Sequence, residues 1–264
     1  MRPSMIAAQM YTFRVYSQTE EELKSTFQKL ASIGYTAVQV SGIGPIAPSV
    51  VKQLADESGL EICATHVPWT RLVDDLDTLA KEHQLWNCKY IGLGGLPDSC
   101  RGSLEGYRSF IVEASAIART LKENYGLQFI YHNHDFEFER LEDGRTGMDI
   151  LLKETDPEYF GIELDLYWLQ AAGADPVEWI HKVKGRMQVV HLKDMAVIQR
   201  TPVFAELGEG NMNYAGIIKA CRETGIEWYV VEQDICRRDP FESVAISLNY
   251  LLHNIEGEGL DHES

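Results

Sequence analysis

The sequence predicts a (β/α)8 barrel, and three observations carry that reading. Helical stretches stop at a glycine and pass at once into a β-rich run, eight apolar runs of strand length recur along the chain, and no linker divides them. The glycine stops are Ile33-Gly34-Tyr35, Ser58-Gly59-Leu60, Tyr125-Gly126-Leu127 and Thr224-Gly225-Ile226. Glycine just past a helix end accepts the left-handed conformation that closes the last turn.

In chain order the strand runs lie near 5–10, 36–41, 60–66, 89–94, 127–133, 160–165, 187–192 and 227–233. Continuous apolar stretches such as Phe129-Ile130-Tyr131 suit strands buried on both faces of a parallel sheet. Thr19 followed by Glu22 reads as a capping box, and Asp175-Pro176-Val177-Glu178 and Asp239-Pro240-Phe241-Glu242 read as capped helix starts. Over 104–125, Leu104, Tyr107, Ile111, Ala114, Ala118, Leu121 and Tyr125 recur at three- and four-residue steps, one apolar face. The expected organisation is a single barrel over 1–253 and a polar, glycine-containing tail over 254–264.

Composition bounds the function. The 264 residues carry 24 Lys+Arg against 40 Asp+Glu, a charge of −16, with the basic residues scattered. Binding to a phosphate backbone needs a basic stripe, so nucleic acid is not an expected partner. No segment reaches the roughly 20 apolar residues that cross a bilayer, and the N-terminus lacks the apolar core of a signal peptide. The five cysteines form no CxxC, and their odd number completes no disulfide framework; Cys63, Cys88 and Cys236 sit in or beside apolar runs. A reduced, cytoplasmic protein is expected.

Barrel active sites lie at the C-terminal ends of the strands. Five strand signals end in reactive groups: Ala64-Thr65-His66, Tyr131-His132-Asn133-His134, Glu163-Leu164-Asp165, Val190-His191-Leu192-Lys193 and Val231-Glu232-Gln233-Asp234. Side chains alternate along a strand, and neighbouring strands lie about 4.8 Å apart. His132, Asp165, His191 and Glu232 can therefore converge as two nitrogens and two carboxylates around one divalent ion. That donor set suits Mn, Zn, Co or Fe better than Ca. Each residue alone has a plainer reading: a histidine bonded in the core, Asp165 or Glu232 pairing with Lys193 or capping a helix, Glu163 bonding to an interior neighbour.

These residues also resemble a known group. Gln9-Met10-Tyr11-Thr12-Phe13-Arg14, the run from Tyr131 to Phe138, Leu164-Asp165-Leu166-Tyr167-Trp168-Leu169, His191-Leu192-Lys193-Asp194, Leu207-Gly208-Glu209-Gly210 and Val231-Glu232-Gln233-Asp234 follow in order. They are similar to the sugar phosphate isomerase/epimerase-like proteins of the xylose-isomerase-type TIM barrels, relatives of inosose dehydratases and ketose 3-epimerases. The resemblance implies one divalent metal held by Glu, Asp, His and Glu, the last three being Asp165, His191 and Glu232. His132 stands where many epimerases have Glu, and Trp168 where many relatives have a substrate-contacting His.

What the resemblance implies is a metal-dependent isomerase, epimerase or dehydratase acting on a small keto sugar, keto-inositol or related polyol through an enediolate. Metal-bound glutamates exchange protons in the epimerases, so His132 leaves Glu232 to be joined by another proton-transfer group. His134 and Lys193 are expected in catalysis, and His66, Glu137, Trp168, Tyr11 and Glu206 against the substrate. Trp69 and Phe136 join Trp168 and Tyr11 in an expected apolar wall. A non-catalytic sugar-binding barrel is the alternative. An abasic-site endonuclease would need several metals and a basic groove, for which eight histidines and a charge of −16 are poor equipment. Barrels of this kind often associate into homo-oligomers, and no residue identifies an interface.

Overall fold

The computed structural model describes residues 1–256. Each expected run holds one barrel strand: β1 (Ile6–Gln9), β2 (Ala37–Val40), β3 (Glu61–His66), β4 (Tyr90–Leu93), β5 (Gln128–His132), β6 (Phe160–Asp165) and β7 (Val189–Leu192). A hairpin of β8 (Asp194–Ile198) and β9 (Thr201–Ala205) intervenes before the eighth barrel strand, β10 (Trp228–Val231). The barrel is parallel and closed in the order β1-β10-β7-β6-β5-β4-β3-β2.

Helices α1 (Glu20–Ile33), α2 (Pro48–Glu57), α3 (Trp69–Asp74), α4 (Leu76–Trp86) and α5 (Leu104–Tyr125) lie between the first five strands. They are followed by α6 (Gly147–Glu154), α7 (Leu166–Ala171), α8 (Pro176–Lys182), α9 (Tyr214–Thr224) and α10 (Pro240–Glu256). The capping chemistry is where the sequence puts it. Thr19 and Glu22 close a reciprocal capping box, Asp175 accepts from the Glu178 amide, and Asp239 from the amides of Phe241 and Glu242. Gly34, Gly59, Gly126 and Gly225 all hold positive φ. On α5 the buried face includes Tyr107, Ile111, Ala114, Ala118 and Leu121, joined by Phe110 and Ile117, while Leu104 and Tyr125 lie at its edges.

Outward strand residues such as Ile162, Leu164, Val190 and Leu192 pack with these helices into one continuous core. Each large apolar side chain so buried contributes about 1.5–3 kcal/mol. Inward residues form a second, smaller core inside the barrel: Ala7, Ala37, Ala64, Tyr90, Ile130, Val189 and Val230. This plug closes the barrel below the mouth.

The hairpin is the element that sequence patterning does not supply. Its two-residue turn puts Gln199 (φ 48°) and Arg200 (φ 68°) in the left-handed region, where hairpins normally use Asn or Gly. Its base is organised by Asp194, whose carboxylate accepts from the backbone amides of Met195, Gly208, Gly210 and Met212. Gly208 (φ 86°) holds a left-handed turn against the Tyr250 ring, where a Cβ would fall 2.2 Å from the ring.

At the C-terminus, α10 runs through residues 254–256, where the tail was expected to begin, and the remainder of that expected tail lies outside the described residues. All five cysteines are free; Cys63, Cys88 and Cys221 are buried, and Cys236 is only half-buried. Among the described residues no helix is long and apolar enough to cross a membrane.

Candidate metal centre

Strand alternation raises the site directly above the apolar plug. Two residues beyond Ala7, Ala37, Ala64, Tyr90, Ile130, Val189 and Val230 come Gln9, Gln39, His66, Gly92, His132, His191 and Glu232. On β6, Glu163 pairs in register with His132, and Asp165 with His191. Gly92 makes the room: a Cβ there would fall 2.7 Å from the His66 ring, which leans across β4.

Donor atoms of His132, Asp165, His191 and Glu232, all buried, lie within 4.8 Å of one another. His191 Nδ1 is 2.8 Å from Glu232 Oε2 and 3.9 Å from Asp165 Oδ2, and His132 Nε2 is 3.7 Å from Asp165 Oδ2. A second group, His66, His132, Glu163 and His191, overlaps it on the inner side. There His66 Nε2 contacts Glu163 Oε2, and Glu163 lies 3.5 Å from His132 Nδ1 and 3.4 Å from His191 Nε2. Asp165 serves two ends at once. Its Oδ1 accepts from the Trp168 amide and caps α7, while its buried Oδ2 accepts no well-aligned hydrogen bond and meets only charged neighbours. The Asn133 side chain accepts from the Asp165 amide and ties β5 to β6.

Lys193 is buried above this group. Its ammonium lies 2.8 Å from Asp165 Oδ2, 2.8 Å from Glu232 Oε2 and 2.6 Å from Asp234 Oδ2. Burial disfavours that charge, but the three carboxylates outweigh it and raise the lysine. Burial likewise works against protonating His191, yet Glu163 and Glu232 push it up to about 10. Burial lifts Asp165 to about 6 against the pull of Lys193 and His191. His132 is driven well below the usual histidine range by burial and by the neighbouring His191, so it stays neutral.

The donor set passes the test for a divalent ion. The carboxylates of Glu163, Asp165, Glu232 and Asp234 outnumber the single ammonium of Lys193, and that excess of negative charge is what holds a proton on His191, in a place a divalent ion would fill. A buried His132 Nδ1 and a buried Asp165 Oδ2 without well-aligned hydrogen bonds, in a mixed N/O shell, fit Mn, Zn, Co or Fe.

A cavity of about 460 Å³ opens over the centre, lined by Tyr11, His66, Trp69, His132, His134, Glu232 and Asp234 among others. The other expected site residues divide. Tyr11 and Trp69 form part of the wall, Tyr11 beneath the Arg14 guanidinium and Trp69 against Phe110. His134 faces the cavity with a buried, unpartnered Nδ1, and burial lowers it to about 4.

Glu137 does not reach the cavity. It is fully buried, accepting from the Tyr131 hydroxyl at 2.6 Å and the His134 amide at 2.8 Å, and burial raises it to about 7. It locks the loop after β5 in place of contacting a substrate. Glu206 also turns away, accepting from Ser243 Oγ at 2.6 Å beside Arg238. Trp168 packs between Tyr167, Phe204 and His134 behind the wall, and Phe136 stacks on His134. Gln39 and the hairpin's Phe204, whose ring lies 5.8 Å from the Lys193 ammonium, join the site without a sequence expectation, and Asn133 and Asp234, present in the strand-end motifs, take roles of their own. A polar residue inside the apolar run Ala37-Val38-Gln39-Val40 was the available signal for Gln39.

Fold and site together define a closed (β/α)8 barrel with a buried imidazole–carboxylate centre at its C-terminal mouth. Residues 27–251 match the xylose isomerase-like TIM barrel family, and the chain belongs to it. It is similar to the inosose dehydratase of Geobacillus kaustophilus strain HTA426 at 23% identity, covering 84% of each chain. A match to the inosose dehydratase of Geobacillus thermodenitrificans strain NG80-2, at 28% identity, covers 48% of this chain and 47% of that protein, so the chain aligns with less than half of that relative's length. Among solved structures, a sugar phosphate isomerase/epimerase from Parabacteroides distasonis ATCC 8503 superposes with a TM-score of 0.75 at 26% identity, covering 95% of this chain and 94% of that one.

Proposed function

We propose that the chain is a divalent-metal-dependent isomerase, epimerase or dehydratase acting on a small keto sugar, keto-inositol or related polyol derivative through an enediolate. The observation that carries this reading is the convergence of His132, Asp165, His191 and Glu232 under an open cavity, in a shell where carboxylates outnumber cations. These four residues would hold the ion, which when bound supplies Lewis-acid polarisation of a substrate carbonyl or hydroxyl.

The chain's own residues supply the proton transfers. Glu232 lines the cavity and is held ionised, burial notwithstanding, by Lys193 and His191, so its carboxylate is the base for a proton beside the carbonyl. His134 lines the same cavity as a neutral imidazole and is the group for the second proton exchange. Lys193 offsets the charge of Asp165 and Glu232 beside the reacting centre. One carboxylate and one imidazole of different basicity suit elimination of water or a shift of the carbonyl. His66 and the Tyr11–Trp69 wall orient the ring. A homo-oligomer is compatible with this reading and is not required by it.

The test is elemental analysis of untagged protein alongside Asp165→Ala, Glu232→Ala and His132→Ala, followed by solvent-deuterium exchange into keto sugars and inososes. One Mn, Zn, Co or Fe per chain, lost in the variants, together with metal-dependent exchange, is the expected result. No transition metal after incubation with Mn²⁺ or Zn²⁺ would overturn it and leave a binding barrel.

A further inference from the structure

We infer that Gln39 and Glu163 form a hydrogen-bond relay that decides which nitrogen of His191 keeps its proton, and so which one is left to meet a cation. The inference rests on the reading of His191 as a metal ligand and adds two positioning residues to it.

The strands β2 and β6 stand opposite each other in the ring, so Gln39 reaches Glu163 across the interior. Gln39 Nε2 donates to Glu163 Oε1 at 2.8 Å. A carboxylate only accepts, so the amide nitrogen must face Glu163 and the amide oxygen must face away. That oxygen lies 2.6 Å from His191 Nε2. An amide oxygen only accepts as well, so Nε2 carries hydrogen. Nδ1 faces a carboxylate as well, Glu232 Oε2 at 2.8 Å, so it also carries hydrogen; of the two hydrogens Gln39 holds the one on Nε2, and the one on Nδ1 is what a cation beside Glu232 and Asp165 would displace.

Glu163 is itself held from the other side by His66, which contacts Oε2. With both its oxygens engaged, Glu163 has a stated task without being a ligand. Were the amide of Gln39 reversed, its NH2 would oppose Nε2 and drive the ring hydrogen onto Nδ1, into the cation's place. Hydrogen-bond partners of ligand histidines act in this way in metal sites generally, and their loss typically costs about 10–100-fold in affinity. The rival use of Glu163 is a second ion held with His66, His132 and His191, which would have to displace the Gln39 and His66 contacts.

The experiment is Mn²⁺ and Zn²⁺ titration by calorimetry of the wild type, Gln39→Glu, Glu163→Gln and the double swap, with imidazole 15N NMR of the Zn²⁺-loaded proteins. Each single change is expected to weaken binding by about 10–100-fold. Gln39→Glu sets two carboxylates against each other, and Glu163→Gln frees the amide to reverse. The double swap exchanges the two groups between β2 and β6. It leaves one carboxylate beside His191, able to accept from both the ring Nε2 and the relocated amide, and is expected to recover most of the affinity. NMR is expected to show hydrogen on His191 Nε2 in the wild type.

A wild type that binds no divalent ion overturns the functional reading. A wild type that binds one ion overturns the relay alone if the single changes bind as tightly, if the swap fails to recover, or if Nε2 carries no hydrogen. Two ions per chain also overturn the relay. Where a single variant does not fold, the wild-type NMR spectrum decides.

Discussion

Lys193 and Asp165 stand 2.8 Å apart, ammonium nitrogen to carboxylate oxygen, at a point where both side chains are sealed from water. The ammonium is the fixed positive charge of a shell that otherwise holds carboxylates and imidazoles. Removing one partner of a buried ion pair strands the other, at about 3–5 kcal/mol. Lys193→Met is therefore expected to lose that much stability in chelator and visibly less with saturating Mn²⁺, which restores positive charge beside Asp165 and Glu232. Urea unfolding with and without the ion checks it; an equal deficit in both conditions would sink the charge argument.

A second prediction concerns pH and lies away from the centre. His83 is fully buried, bonded to Thr65 Oγ1 and the Leu79 carbonyl, and burial lowers it to about 4. The unfolded chain binds its proton near pH 6.5, the folded chain only near 4, so stability falls as pH drops through that window. The contribution lost is about 3 kcal/mol once pH has fallen below both values. His83→Gln is expected to flatten the stability profile between roughly pH 7 and 4, the window set by the two values. Denaturant midpoints across that range read it, and an unchanged slope would remove His83 as its source.

A Cβ on Gly210 would fall 2.2 Å from Asp194 Oδ1, inside the cluster of amides that this carboxylate holds. Gly210→Ala is expected to displace the carboxylate, weaken its charge-assisted bonds from part-buried amides and cost about 1.5–3 kcal/mol. Thermal unfolding checks the loss, and fluorescence of Trp168, which packs on the hairpin's Phe204, checks whether the hairpin base has moved.

Among the described residues, the cavity wall carries Glu232 and Asp234 and no lysine or arginine. A phosphate seated on that wall would compete with Glu232 and Asp234 for Lys193, which is already paired with both. We expect kcat/KM for an unphosphorylated keto sugar or inosose to exceed that of its phosphate by about tenfold or more. Competition assays with paired substrates decide it, and equal turnover would contradict the electrostatic reading of the wall.

The barrel was legible because its signals are local. Glycine stops such as Gly126, caps such as Thr19 and the apolar stripe of α5 each act within a few residues. The convergence of His132, Asp165, His191 and Glu232 was also legible, since alternation and strand order are enough to bring strand ends together. Orientation was not. Nothing local tells that Glu137 turns inward to Tyr131, or that Glu206 turns toward Ser243, because those choices depend on the packing of the finished barrel. The hairpin escaped for a different reason: its left-handed turn is built from Gln199 and Arg200, which carry no turn signal. Gln39 escaped because its partners, Glu163 and His191, lie 124 and 152 residues away.

A closed hoop of strands deforms most easily by going oval, one diameter shortening while the perpendicular one lengthens. The side-chain bond from Gln39 on β2 to Glu163 on β6 spans such a diameter, just above the apolar plug. It acts as a tie rod, since any change in that diameter has to stretch or compress the bond. The wall of Tyr11 and Trp69 rises above that tie, where the cavity opens.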